Sequence, residues 1–177
     1  MLAQRPDAIL LGVSGAPGAL PPLTLAERGF KGPVYGTAPL VNTDFVRIGG
    51  KSVEGITVST GPVVVAEQLP DDHFSKSVSL TFRYAYKKAN GELPPDGISA
   101  YAFDAWLILL DAVKRALPEA KPGTTQFRAA LRDALFNTKD LKGTQAIYNF
   151  KPGEVYGADE RGFVIVKFKN GSWTYNP

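Results

Sequence analysis

The chain has 177 residues, 44% of them hydrophobic and 21% charged, enough to bury one core of ordinary domain size. Its 20 basic and 17 acidic residues, a formal net charge of +3, are interleaved with no block longer than Lys87-Lys88, which excludes the gathered basic face of a nucleic-acid binder. The absence of cysteine excludes disulfides, thiolate metal sites and a cysteine nucleophile.

No apolar run reaches the roughly 18 residues of a membrane helix. Met1-Leu-Ala-Gln-Arg-Pro has neither the basic start nor the apolar core of a signal peptide. From there, Ala8 to Val13 reads as a short buried strand. A helix follows from about Gly18 and closes at Gly29, with Leu20, Leu23 and Ala26 on its inner face; Pro21 and Pro22 fit only its first turn. Pro33 to Gly36 is a second strand, so strand-helix-strand predicts a parallel pair. Thr43 or Asp44 is expected to cap a short helix ending at Gly49-Gly50. The β-branched stretch Glu54 to Val65 predicts one or two extended segments.

Asp71 to Asn90 is a predicted helix with Phe74, Val78, Phe82 and Ala85 on one face. Gly97 to Leu117 is expected to be the longest and most buried helix. Thr124 to Asn137 is a third, with Phe127, Leu131 and Leu135 at four-residue spacing. Gln145 to Phe150 reads as a strand. Phe163 to Lys169 and Trp173 to Tyr175 form a hairpin across Asn170-Gly171, the strongest short hairpin signal. There is no internal repeat.

Gly12-Val-Ser-Gly15-Ala-Pro-Gly18 has glycines spaced like an atypical dinucleotide fingerprint between a strand and a helix. Pro17 removes an amide from that cradle, and Gly36-Thr37-Ala38 carries no acid for a ribose hydroxyl. The same small residues also let a strand turn tightly into a helix, or let Ser14 and nearby amides meet a ligand. His73, the single histidine, sits beside Asp71 and Asp72 and reads as a solvated cap rather than a triad member or metal ligand. Asp104 and Asp111 share a helix face two turns apart, too far for a carboxylate dyad, and Asp104 is expected to bond locally. Tyr84, Tyr86, Tyr101, Phe103 and Trp106 are expected to be mostly core.

Three stretches, Ile98-Ser-Ala-Tyr-Ala-Phe-Asp-Ala-Trp-Leu-Ile-Leu-Leu-Asp-Ala-Val, the opening strand Asp7-Ala-Ile-Leu-Leu-Gly-Val-Ser-Gly and the helix Pro122-Gly-Thr-Thr-Gln-Phe-Arg-Ala-Ala-Leu, together resemble the branched-chain-amino-acid-type substrate-binding proteins of ABC importers. The resemblance covers nearly the whole chain but implies only the C-terminal portion of a type I periplasmic binding protein. The implied fold is α/β and incomplete, with Rossmann-like lobes of parallel sheet flanked by helices. It implies that residues 1–60 are part of the second lobe, that 61–152 supply first-lobe helices and a strand, and that 153–177 return to the second lobe with a terminal hairpin. Crossings are expected near Thr60-Gly-Pro62 and Gly153 to Asp159, and the N-terminal half of the family fold is absent.

By the spacing of Gly12, Gly36 and Glu54-Gly55, the resemblance places Ser14 at a second-lobe ligand contact. It places Ala38 where amino-acid binders hold the acid that pairs with an ammonium group. The expected ligand-binding residues are therefore Ser14, Gly15, Thr37, Ala38 and Tyr101, with no catalytic residue, no metal and no cofactor. Ala38 argues against an ordinary α-amino acid, since an unpaired buried ammonium is costly. Tyr101-Ala-Phe-Asp-Ala-Trp and Lys121-Pro-Gly-Thr look most like the branch that binds aromatic carboxylates. The implied role is periplasmic capture of a small organic acid for a membrane permease, without nucleic acid, the export signal lying on sequence outside this chain. A Rossmann-like oxidoreductase domain using Gly12, Gly15 and Gly18, and a ligand-sensing domain of a receptor, are the alternatives. Amphipathic helices with few strands to cover predict self-association, or pairing with the missing N-terminal portion.

Overall fold

The computed structural model describes residues 2–154 and 156–177; Met1, and Val155 in the expected return crossing, lie outside the described residues. In chain order the elements are β1 (Ile9–Leu11), α1 (Leu20–Glu27), β2 (Val34–Thr37), α2 (Thr43–Gly49), β3 (Thr57–Thr60), α3 (Lys76–Asn90), α4 (Ile98–Ala116), α5 (Thr125–Phe136), β4 (Leu141–Lys142), β5 (Ile147–Tyr148), β6 (Val164–Lys169) and β7 (Ser172–Tyr175). The molecule is mixed α/β. A five-stranded sheet runs in the order β1-β2-β3-β6-β7, and β4 pairs separately with β5. The first three strands are parallel, with Leu10 beside Tyr35 and Gly36 beside Val58. The last two strands add antiparallel to β3 as a hairpin. Its turn, Asn170-Gly171, has both φ angles positive, at 52° and 79°, as a tight hairpin turn of this sequence requires.

The main core lies on this sheet, with Ile9, Leu11, Val58, Val166 and Phe168 meeting Leu25 of α1 and Phe45 of α2. Gly18 is a packing residue, since a Cβ there would lie 2.6 Å from Leu40 Cδ2. In α1 the buried residues are Pro22 and Leu25, whereas Leu20 and Ala26 are exposed. The two prolines delay the helix and rotate its inner face from the one expected. The α2 cap is Asn42, whose Oδ1 accepts the Phe45 N–H at 2.8 Å, not Thr43 or Asp44. Asp44 instead pairs with Arg47 at 2.9 Å. After β3 the chain does not stay extended: Pro62–Gln68 winds as 3₁₀ turns. Pro62 lacks the N–H that a further sheet rung needs, and Val63, Val65 and Ala66 bury themselves in turns instead.

The two ends of the sheet differ. Beyond β7, the Gln68 side chain takes the place of a strand: its Nε2 donates to the Trp173 carbonyl at 3.0 Å, and its Oε1 accepts the Tyr175 N–H at 2.9 Å. At the other end β1 has a strand on one side only, and Leu10 is 70% exposed.

Helices α3, α4 and α5 form a second unit with the β4-β5 pair. α3 begins at Lys76 rather than Asp71, because Lys76 Nζ ties back to the Leu69 carbonyl and to Asp71, both at 2.7 Å. Its buried face is Ser79 and Phe82, and Ala85 is exposed. Phe82 packs with Phe103 and Tyr86 beside Val63 and Ala100. The predicted strand from Gln145 to Phe150 shrinks to Ile147–Tyr148.

α4 is the longest helix, at 19 residues, and has more buried residues than any other helix described, but they are not its large apolar ones. It buries a stripe of small residues and one acid, Ala100, Asp104, Ala112 and Ala116, where it packs on α5 and the 143–148 turn. Phe103, Leu107, Ile108 and Leu109 are half-buried, and three other large residues face outward: Ile98 is 68% exposed, Trp106 55% and Tyr101 54%. Tyr84, Tyr101 and Trp106 are thus not core. Among the described residues the only strands in this unit are the two-residue β4 and β5, so nothing broad enough covers that side. No helix among the described residues is long and apolar enough to cross a membrane.

Candidate functional site

In open parallel sheets, ligands gather beyond the carboxyl ends of the strands. Here β1, β2 and β3 end in Ser14-Gly15-Ala16, Ala38-Pro39 and Thr60, and these loops form one wall of a cavity of about 600 Å3. The opposite wall is residues 95–98, Tyr101 and Gln145, from the start of α4 and the turn before β5. A bridge between Asn42 and Asp96 joins the two units at its edge.

Four of the five residues singled out from sequence, Ser14, Gly15, Ala38 and Tyr101, line this cavity. Thr37 lies outside that wall, exposed at the end of β2. Amides of the glycine-rich turn are already spent, that of Gly18 on the Gly15 carbonyl at 3.0 Å. Gly15 N–H already donates to the Pro39 carbonyl at 3.2 Å, and the φ of +60° at Gly15 serves the tight turn into residues 16–19. Burial, followed by the nearby Tyr156 and Asp104, raises the Tyr101 phenol above its ordinary value of 10.0, so the wall presents a neutral hydroxyl.

Gln145 was not singled out from sequence. It is buried, and its position is fixed from three sides. Its N–H donates to Asp104 Oδ2 at 3.0 Å, and its Nε2 donates to the Gly97 carbonyl at 2.8 Å. Its Oε1 rests where a Cβ at Gly61 would otherwise sit, without a hydrogen-bond partner among the described residues. A Cβ at Gly61 would therefore have to displace the Gln145 amide. The Gln145 side chain in turn meets the point where the chain leaves the sheet.

Asp104 organises this turn and does not bond locally as expected. It is 1% exposed. Its Oδ1 accepts the Thr144 N–H at 2.8 Å, and its Oδ2 accepts the Gln145 N–H and the Tyr148 hydroxyl at 3.0 and 2.7 Å. Burial and then the Asp104 charge push the Tyr148 phenol far above its usual range, keeping it a donor. Three donors thus hold a buried carboxylate without a cation among the described residues. The acids on the cavity wall are also engaged, Asp44 by Arg47 and Asp96 by the Ile98 N–H at 2.8 Å. No lysine, arginine or histidine lines this cavity among the described residues.

His73 lies away from the cavity. Its Nδ1 accepts the Ser75 N–H at 3.2 Å and its ring stacks on Phe74; burial lowers its pKa from 6.5, with Asp72 opposing.

The description "periplasmic binding protein" belongs to the family whose model matches residues 1–155. None of the curated proteins gives a significant match. Among solved structures, Rp1789 of Rhodopseudomonas palustris strain CGA009 aligns with TM-score 0.90 and 39% identity, over 99% of this chain and 49% of that one. An extracellular ligand-binding receptor from Rhodopseudomonas palustris HaA2 aligns with TM-score 0.89 and 38% identity, over 99% and 49%. A leucine binding protein from Thermotoga maritima gives 0.70 and 25%, over 99% and 45%. The chain spans about half the length of the solved structures it matches.

Proposed function

Because the chain belongs to the periplasmic binding protein family, we propose that it supplies part of a solute-binding cleft in a periplasmic receptor, which delivers a small organic acid to the permease of an ABC importer. The observation that carries this reading is the cavity at the strand ends, where Ser14, Gly15, Ala38 and Tyr101 meet. Residues 1–60 and 153–177 act as portions of one lobe and 61–152 as a portion of the other. Selectivity arises from closure of two walls on a few polar anchors, and no bond is made or broken.

The solute is a carboxylate with an aromatic or apolar body. Ala38 offers no counter-charge to an ammonium group, and an uncompensated buried charge typically costs about 3–5 kcal/mol, more than a hundredfold in affinity. With no lysine, arginine or histidine on this wall among the described residues, the solute's carboxylate meets donors of the complete protein, while Tyr101 and the hydroxyls of Ser14 and Thr60 meet the uncharged body.

Calorimetry of a protein carrying both halves of the fold, against leucine, phenylalanine and a benzoate and cinnamate series, tests this. Aromatic acids are expected to bind and the zwitterions to be silent, with Ala38→Glu weakening the acids. Tight binding of the free amino acids alone would overturn the ligand assignment.

A further inference from the structure

The Asn42–Asp96 bridge is a partition. Both residues line the cavity described above and also a second one, of about 400 Å3. The second cavity is a crevice between the sheet unit and the helical unit, walled by Val46, Val64, Leu93 and Trp173. Trp173 is held edge-on against Phe168 and stacked on Phe45, with ring centroids 5.2 and 6.5 Å apart, so the wall is stiff. Of the polar side chains beside it, Asn42 is spent on capping α2 and on the Pro39 carbonyl, Asp96 on the Ile98 N–H, and Ser172 on the Lys169 carbonyl.

Arg47 at the rim is held by Asp44 at 2.9 Å, which leaves the Thr43 hydroxyl and the guanidinium of Arg83. The Arg83 side chain is 12% exposed, and its Nε donates to Glu67 Oε1 at 2.8 Å. Among the described residues nothing accepts from its Nη1 or Nη2. The edge left over presents two parallel N–H groups, the fork that fits a carboxylate.

We propose that this crevice is a second ligand site, which takes a small monocarboxylate with an apolar body. The carboxylate lies across the Nη edge of Arg83, and the body lies against Trp173 and Val64. The volume falls in the range of small-molecule sites, about 300–1,000 Å3. Arg47 and Trp173 belong to the sheet unit, whereas Arg83 and Leu93 belong to the helical unit. An occupant therefore touches both units, resists any change in their mutual placement, and is coupled to the neighbouring cleft. The proposal goes beyond the cleft reading and stands without it.

Titration of the chain with cyclohexanecarboxylate, followed by calorimetry and tryptophan fluorescence, is expected to saturate. The neutral cyclohexanecarboxamide is expected to bind at least about tenfold more weakly. Arg83→Gln is expected to lose about tenfold or more in affinity for the acid. Glu67→Gln keeps Arg83, removes the carboxylate that competes for it, and is expected to tighten binding several-fold. That opposite sign separates the site from a folding defect in the arginine variant. No saturation with the wild-type chain, equal binding of acid and amide, or unchanged or weaker affinity in Glu67→Gln overturns the proposal. Loss of binding in Ser14→Ala with Arg83→Gln unaffected assigns the acid to the first cavity and overturns it too.

Discussion

Asp104 accepts from two backbone amides and a phenol that have no other acceptor among the described residues. Asp104→Ala is expected to strand these donors and cost about 3 kcal/mol or more, since each buried unsatisfied group costs about 1–3 kcal/mol. Asp104→Asn keeps one acceptor and is expected to cost less; urea unfolding of the three proteins gives the order. The Gly61–Gln145 contact makes a sharper test. Gly61→Ala is expected to destabilise by about 1–3 kcal/mol through overpacking, and adding Gln145→Ala is expected to recover much of that, a coupling that a double-mutant cycle measures directly. His73 gives a pH dependence. Its folded pKa is depressed, so the unfolded chain binds the proton more tightly, and the contribution is intact above 6.5 and fades as pH falls through the folded value. A pH series of thermal melts is expected to show a small loss below that point that Phe at position 73, introduced as His73→Phe, removes. At this scale the strand ends that lead into Ser14-Gly15 and Ala38 were legible because the end of a short strand is a local feature. Asp104 and Gln145 were not: the partners of Asp104 lie 40 to 44 residues away, and no periodicity encodes such a distance.

The elements were legible wherever apolar period and punctuation agreed. The parallel strands, the hairpin across Asn170-Gly171 and the bodies of α3, α4 and α5 follow the sequence pattern. Misreadings cluster at Pro62, where a β-branched run winds into turns, and at helix starts, where Asn42 and Lys76 take over the ends. The burial of Tyr101 and Trp106 on α4 was misread for a different reason. Hydrophobic spacing says which side of a helix seeks cover, not whether cover is present. Its open side bears Tyr101, Trp106 and Leu110, and Trp106→Glu is expected to reduce association between copies while changing stability by less than about 1 kcal/mol. Sedimentation velocity over a concentration series, paired with urea melts, checks both halves of that statement. A large stability loss with unchanged association would mean that Trp106 packs within its own chain.

At the scale of the whole molecule, the fold class was legible from strand-helix alternation and from the resemblance of three stretches to one family. The family match over residues 1–155 agrees with it. What no local pattern carries is the division of labour between the units: the sheet unit buries a broad core of its own, whereas the helical unit's second cluster centres on Val63, Phe82 and Ala100. The two are therefore expected to differ in cooperativity. Hydrogen exchange should show β3 and β6 outlasting α4 and α5.

The Gln68 side chain that occupies the outer side of β7 sets the valence of the molecule in sheet-forming reactions. A unit with two reactive ends polymerises; a unit with one can only pair. With β7 capped, β1 is the open end of the five-stranded sheet among the described residues, so strand addition between copies at that sheet joins two of them about a twofold axis and terminates there. Gln68→Ala uncaps the second end and changes a chain-stopper into a monomer of a fibre. Thioflavin fluorescence on prolonged incubation is expected to stay flat for the wild type and to rise for this variant.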